Sequence, residues 1–218
     1  LNICDFGADF FFILLVFSII IRKVGSDMDK DIIEFAALAR SGKEYNDVCE
    51  AANKARHRCR QLTRALAAAG EYEDDIKNAI FDELFGSYGK NLIIEPGFQC
   101  DVGSNIFIGD NVLLNFDCII LDYAEVHIGN NVLCGPRTGL YTVNHSLDPE
   151  KRRNGACTAK PIVLEDNVWL GGDVKITGGV TIGKNSVIGA GSVVTADIPP
   201  NVIAAGVPCK VIRKVEAK

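Results

Sequence analysis

The sequence predicts a mainly β protein: a parallel β-helix of triangular cross-section, preceded by a helical cap. Three observations carry this. Apolar residues recur every six positions through the C-terminal half, glycine and asparagine recur between them, and residues 29–90 show helical periodicity instead.

The six-residue period comes first. Leu164, Leu170, Ile176, Ile182, Ile188 and Val194 fall in phase without a slip, and Gly171, Gly183 and Gly189 directly follow three of them. Val168, Val174, Val180, Ser186 and Ser192 hold the fifth place of successive units. An earlier run aligns Val102, Ile108, Leu114 and Ile120, then resumes after a small insertion at Ile128, Cys134 and Leu140. Neither an amphipathic helix nor a long alternating strand has this period. Three such units close one turn of a triangular coil, with the apolar residue pointing inward at each rung. The "IGDN", "IGNN" and "IGKN" segments supply residues that tolerate the left-handed backbone of tight corners.

Two or three short helices are expected before the coil. "DKDIIEFAALARSG" has apolar residues near helical spacing and stops at Gly42. "DVCEAANKARHRCRQLTRALAAAG" is rich in helix formers and closes at Gly70. "EYEDDIKNAIFDELFGSYG" opens on acidic residues and aligns Ile76, Ile80, Leu84 and Phe85 on one face. His57, in the basic second helix, reads as a solvated surface residue.

Ahead of the helices, residues 10–21 (FFFILLVFSIII) form an apolar run too short to span a bilayer as a helix. Asp5 and Asp9 precede it where a secretory signal would carry positive charge. The composition changes at Met28, so residues 1–27 read as a leader outside the fold; a membrane-associating segment is the alternative, without a stable span. Residues 28–90 form the cap and 91–214 the coil, from which 141–161 leaves as a loop.

Net charge is −5 and no Lys/Arg stripe is present, which argues against nucleic acid. The eight cysteines include no CxxC pair and no zinc-finger spacing. They read as reduced, mostly buried residues of a cytoplasmic protein, with no metal site.

"SGKEYND", "FGSYGKNLIIEPGFQCDVGSNIFIGDN", "NFDCIILD", "PIVLEDNVWLGG", "GVTIGKNSVIGAGSVVT" and "IPPNVIAAGVPCKVIRK" resemble the maltose and galactoside O-acetyltransferases, from about Asp29 to Lys214. The resemblance implies a left-handed parallel β-helix with an N-terminal helical cap, assembled as a homotrimer with intersubunit active sites. It implies acetyl-CoA as donor and a sugar of maltose, glucose or galactoside type as acceptor.

Residues 141–149, "YTVNHSLDP", interrupt the repeat, and the following "DPEKRRNG" stretch is too polar to continue the coil. By position alone His145 reads equally as a loop cap or a functional base. The resemblance selects the base, although the family commonly has proline where this chain has Ser146. A sugar alcohol is a weak nucleophile, and an imidazole with an ordinary pKa near 6.5 can remove its proton and return it to the departing thiolate. No covalent enzyme intermediate is required, and a backbone N–H is the expected oxyanion donor.

The resemblance assigns acceptor contacts to Asp47, Arg56, Asp101 and Asn115. Where galactoside-type enzymes can show a second acid this chain has Tyr123, so Asp122 or Tyr123 fills that role. Along the donor groove it assigns Gly172, Ala190 and Thr195 to the pantetheine arm and Lys210 and Arg213 to phosphates, with Trp169 a further candidate contact. Ala196 replaces a common family lysine. Trp169 reads equally as a packing residue. Among other classes, a carbonic anhydrase on this fold would need three histidines for zinc, and only His127 and His145 follow the cap. An acetyltransferase for serine or an antibiotic is the nearer alternative.

Overall fold

Corners in left-handed backbone conformation close the chain into a three-sided coil. The computed structural model describes residues 30–69 and 74–216, so the leader expected at 1–27 lies outside the described residues. Strands Ile93–Ile94, Leu113–Leu114, Leu133–Cys134, Trp169–Leu170, Val187–Ile188 and Val202–Ala205 stack in parallel as the first face, and Lys210–Lys214 joins that face antiparallel. Gln99–Cys100, Ile119–Leu121, Gly139–Tyr141, Lys175–Thr177 and Val193–Val194 form the second face. Ile106–Ile108, Val126–Ile128, Ile162–Leu164 and Thr181–Ile182 form the third.

The register follows the six-residue phase. Leu164 pairs with Ile182, Leu170 with Ile188 and Ile176 with Val194, and all six are fully or almost fully buried. Lower down, Ile108 pairs with Ile128, Leu114 with Cys134 and Ile120 with Leu140. Each rung therefore stacks apolar side chains on the rung below, in one continuous core.

One expected phase is corrected. Cys100, not Val102, pairs with Ile120. The corner between the second and third faces carries extra residues in the first coils, so Cys100 to Ile108 is longer than the standard unit, as is Ile120 to Ile128. Val102 sits in that corner and is buried against the cap, beside Phe35, Tyr45 and Tyr123.

The corner between the third and first faces is a ladder of asparagines. Asn91, Asn111, Asn131, Asn167, Asn185 and Asn201 all have φ between 56° and 61°. Each of the first five donates its side-chain N–H to the carboxamide oxygen of the next, at 2.8–3.1 Å. Asparagine suits this place twice over: it tolerates the left-handed region, and its amide both donates and accepts along the stack. At the corner between the first and second faces, Arg137 (φ 58°) donates from Nε to Asp173 (φ 61°) at 2.9 Å.

The second and third cap helices close the lower end of the coil core, and the first packs against the corner at Val102 and Tyr123. Helix α1 (Lys30–Arg40) buries Ile32, Phe35, Ala36 and Ala39; α2 (Glu50–Ala68) buries Ala52, Ala55, Cys59, Leu62, Ala65 and Leu66; α3 (Asp74–Leu84) buries Ile80, Phe81 and Leu84. These are the expected helices, and His57 is exposed as expected. Phe85 bridges Phe81 and Phe98 with ring centroids 5.7 and 5.9 Å apart, which continues the core of the coil into α3. Without such a plug the first rung would expose its apolar interior.

The described cysteines are free and all but Cys49 are buried. Burial pushes the Cys118 thiol up to about 11. No helix among the described residues is long and apolar enough to cross a membrane.

The ladder yields a stability test. Asn167→Gly loses the ladder bonds but keeps left-handed backbone accessible, whereas Asn167→Ala loses both. Urea unfolding is expected to place Asn167→Ala about 1 kcal/mol below Asn167→Gly.

Candidate active site

The expected loop is an ordered arm. Tyr141 stays in the coil, paired with Leu121 and Thr177, so the chain departs after it and not at it. Strand Val143–His145 runs out and Ala156–Ala159 returns antiparallel to it, with helix α4 (Pro149–Arg153) at the tip. Asp148 caps α4 by accepting from the Glu150 and Lys151 N–H groups. Lys160 N–H then donates to Thr142 O at 2.9 Å and Ile162 resumes the third face opposite Val126. An excursion at this corner leaves the rungs in register.

Ser146, where proline is common in the resembling enzymes, donates its N–H to Ala156 O at 2.9 Å. Proline has no such donor. This chain therefore adds a ribbon hydrogen bond immediately after His145.

A third strand completes the arm sheet. Tyr45–Asn46, between α1 and α2, pairs with the returning strand. Cys157 stands opposite Tyr45 on one side and His145 on the other. Directly paired residues of an antiparallel sheet project to the same face. Tyr45, Cys157 and His145 thus share a face, with Tyr45 and Cys157 buried and His145 exposed.

Tyr45 leads into the polar cluster. Phe35, Tyr45 and Tyr123 pack edge to face, with centroids 5.4–6.0 Å apart. The Tyr123 hydroxyl accepts from Arg56 Nη1, and Arg56 Nη2 donates to Asp47 O at 3.1 Å and Asn53 Oδ1 at 2.8 Å. Burial raises the Asp101 carboxyl above its ordinary pKa, while the Arg56 and Arg60 charges pull it down. Burial also raises the Tyr123 phenol, and the Asp101 and Asp47 charges add to it. The structure thus brings Asp47, Arg56, Asp101 and Tyr123 together.

Asp122 is placed elsewhere. It is fully buried, and its Oδ1 accepts the N–H groups of Asp101 and Val102 at 3.0 and 2.9 Å. It braces the bend that presents Asp101, and of the two candidates Tyr123 is the one that touches Arg56. Asn115 lies on a different corner, between the first and second faces, with its Oδ1 accepting Phe116 N–H at 2.8 Å. One chain does not join it to the cluster.

Trp169, Gly172 and Ala190 lie along that same other corner. Trp169 projects from the first face, 54% exposed, above Leu133 and below Val187. Gly172 and Ala190 follow on successive coils; rung-to-rung backbone packing is tight beside them, since a Cβ at Gly171 would come within 2.6 Å of the Ala190 nitrogen, whereas one at Gly172 would meet only Pro136 at 3.5 Å. Lys210 and Arg213 stand exposed on the antiparallel strand of the first face. Thr195 and Ala196 are exposed at the end of the second face, away from this group, and Ala196 brings no cation there.

Comparison with known proteins decides the family. The maltose acetyltransferase hexapeptide capping motif matches residues 39–89, and the bacterial transferase hexapeptide (six repeats) matches 161–196. Galactoside O-acetyltransferase of Escherichia coli is 44% identical over 81% of this chain and 87% of its own. The crystal structure of a maltose O-acetyltransferase from Clostridium difficile superposes with a TM-score of 0.80 at 45% identity, over 84% of this chain and 98% of that one. A galactoside acetyltransferase in complex with coenzyme A gives 0.78 at 42%, over 84% and 91%. The chain belongs to the maltose and galactoside O-acetyltransferase family. It is an acyltransferase, and its coil is the left-handed parallel β-helix of that family.

Within this family fold, three supporting residues escaped the sequence reading: Phe35, Tyr45 and Asn53. Asn53 lies one helical turn before Arg56, a spacing that could have marked it as a partner. The aromatic trio joins residues far apart in sequence, and no local pattern announces it.

Asp122 yields a pH test. Burial pushes its carboxyl up to about 6, against backbone N–H donors that lower it. The folded value exceeds the ordinary one near 3.9, so this group favours folding fully below about pH 4 and loses that contribution as pH rises through 6. Asp122→Asn removes the titration. Its unfolding free energy relative to wild type is expected to improve by roughly 2–3 kcal/mol between pH 4 and 7, measured by denaturation across that range.

Proposed function

We propose that the protein transfers the acetyl group of acetyl-CoA to a hydroxyl of a maltose-, glucose- or galactoside-type sugar, with His145 as general base. The observation that carries this is the shared sheet face of Tyr45, Cys157 and His145, which leads from the imidazole into the Asp47–Arg56–Asp101–Tyr123 cluster. Carboxylates and a guanidinium fix sugar hydroxyls through directional hydrogen bonds. The imidazole takes the hydroxyl proton as oxygen attacks the thioester carbonyl. The carbon–sulfur bond then breaks, and the same proton passes to sulfur. The products are the acetyl ester and free coenzyme A.

Support for the donor comes from relatives. One similar structure holds coenzyme A, and an acetyltransferase from Vibrio cholerae, 36% identical, holds acetyl coenzyme A. In this chain the small residues at Gly172 and Ala190 suit a narrow thiol-bearing arm, Trp169 offers an apolar surface, and Lys210 and Arg213 suit phosphates. Residues 28–90 act as the acceptor cap and 91–214 as the transferase coil.

The acceptor cluster and the donor edge occupy different corners of one coil. A closed three-fold arrangement turns the donor corner of one copy, with Asn115, toward the arm corner of the next. A homotrimer with three intersubunit sites is the assembly that completes the chemistry. The unbridged thiols suit the reducing cytoplasm.

Acetyl transfer to a panel of glucosides, galactosides and maltose, with serine as a non-sugar control, tests the reading. His145→Ala is expected to lose about 10²–10⁴ in kcat while still binding acetyl-CoA. Full transfer by that variant would remove the base assignment, and a preference for serine would remove the sugar.

A further inference from the structure

We infer that Asn46 is a positioning residue for this transfer: its carboxamide latches the acceptor cap to the arm that carries His145, within one chain. The inference rests on the reaction and base proposed above.

The latch is a closed set of hydrogen bonds. Asn46 Nδ2 donates to Asn154 O, on the arm, at 2.7 Å, and Asn46 Oδ1 accepts Val48 N–H at 2.7 Å. Between these two bonds lies Asp47. Its own N–H donates to Gly155 O at 3.1 Å and its carbonyl accepts from Arg56 Nη2 at 3.1 Å. The Asn46 amide therefore spans Asp47 from the arm to the segment entering α2. One residue earlier, Tyr45 pairs with Cys157, which pairs with His145. The acceptor carboxylate and the imidazole are thereby referred to the same two strands.

The arm is shaped to receive the amide. Gly155 has φ 80°, and a Cβ there would lie 2.7 Å from Asn46 Oδ1 and 2.6 Å from Val48 Cγ2. Glycine alone combines that backbone conformation with that clearance. Asn46 and Val48 are exposed, so the contact buries little apolar surface and adds little to the core. What it fixes is the place of Asp47 relative to the imidazole. The side-chain chemistry is specific: a carboxamide supplies the donor for Asn154 and the acceptor for Val48 together, whereas a carboxylate supplies only the acceptor.

The test uses the full chain with acetyl-CoA and its best sugar acceptor. Asn46→Ala is expected to lower kcat/KM for the acceptor by at least about tenfold and to leave KM for acetyl-CoA within about twofold, since small misplacements of reacting groups are costly. Asn46→Asp, which keeps the acceptor and loses the donor, is expected to fail alike, and Gly155→Ala to reproduce both. Hydrogen exchange on the intact protein is the second arm and needs no substrate. Protection of the Asp47 and Ser146 amides is expected to fall in Asn46→Ala while that of the coil rungs is unchanged. Unaltered kinetics in Asn46→Asp, or unaltered protection in Asn46→Ala, overturns the latch. Absence of transfer by the wild type overturns the proposed function instead, and the exchange arm still decides the latch.

Discussion

Everything functional in this protein depends on the stacking of one rung on the next at fixed register. Parallel strands of two or three residues have little stability alone. They persist because the inward residue of each packs on its counterparts above and below, and because corner residues accept left-handed backbone. The asparagine ladder joins both requirements, since each amide that permits the corner also bonds to the corner above it. Strand propensity contributes little here. The repeat of the corner makes the fold.

A coil held this way separates scaffold from chemistry. The corner between the second and third faces absorbs extra residues in the first two coils and the whole arm in the third, yet Ile162 pairs with Val126 as though nothing intervened. Inserted chain at one corner leaves the rung contacts on either side intact, so length and polarity are free to vary there. That corner is also where the cap packs. Val102, Tyr123 and Cys157, from three successive coils, meet Phe35 and Tyr45 of the cap in a second small core. The arm emerges against a surface already fixed by packing, which is why its first strand can hold an imidazole at a defined place.

The sequence made the coil legible because its six-residue period recurs over many units on either side of its interruptions, and it made the cap legible because α1 to α3 carry ordinary helical signals. It also located His145, since a polar interruption of a rigid repeat must leave the wall. Other features were not legible for physical reasons. The in-phase position of Cys100 was hidden because a corner insertion shifts phase without altering composition, and Val102 is equally apolar. The arm's strands are three and four residues long and pair across α4, so no alternation betrays them. Asp122 and Asp101 read alike as carboxylates. Only the fold shows that one is sealed under the bend and the other stands beside Arg56.

The cluster around Arg56 shows how a cation can organise a polar site without consuming it. The guanidinium hydrogen bonds go to neutral oxygens: the Tyr123 hydroxyl, the Asp47 carbonyl and the Asn53 amide. Had a second acid stood in place of Tyr123, it would have claimed the guanidinium as a bidentate partner. A phenol takes one N–H, keeps its ring in the aromatic trio with Phe35 and Tyr45, and brings no negative charge next to Asp101. Arg56 then acts on the Asp101 carboxylate through space, opposing the burial that raises it. With a phenol at this place, Arg56 is fixed by a neutral hydrogen bond and ring packing instead of charge pairing.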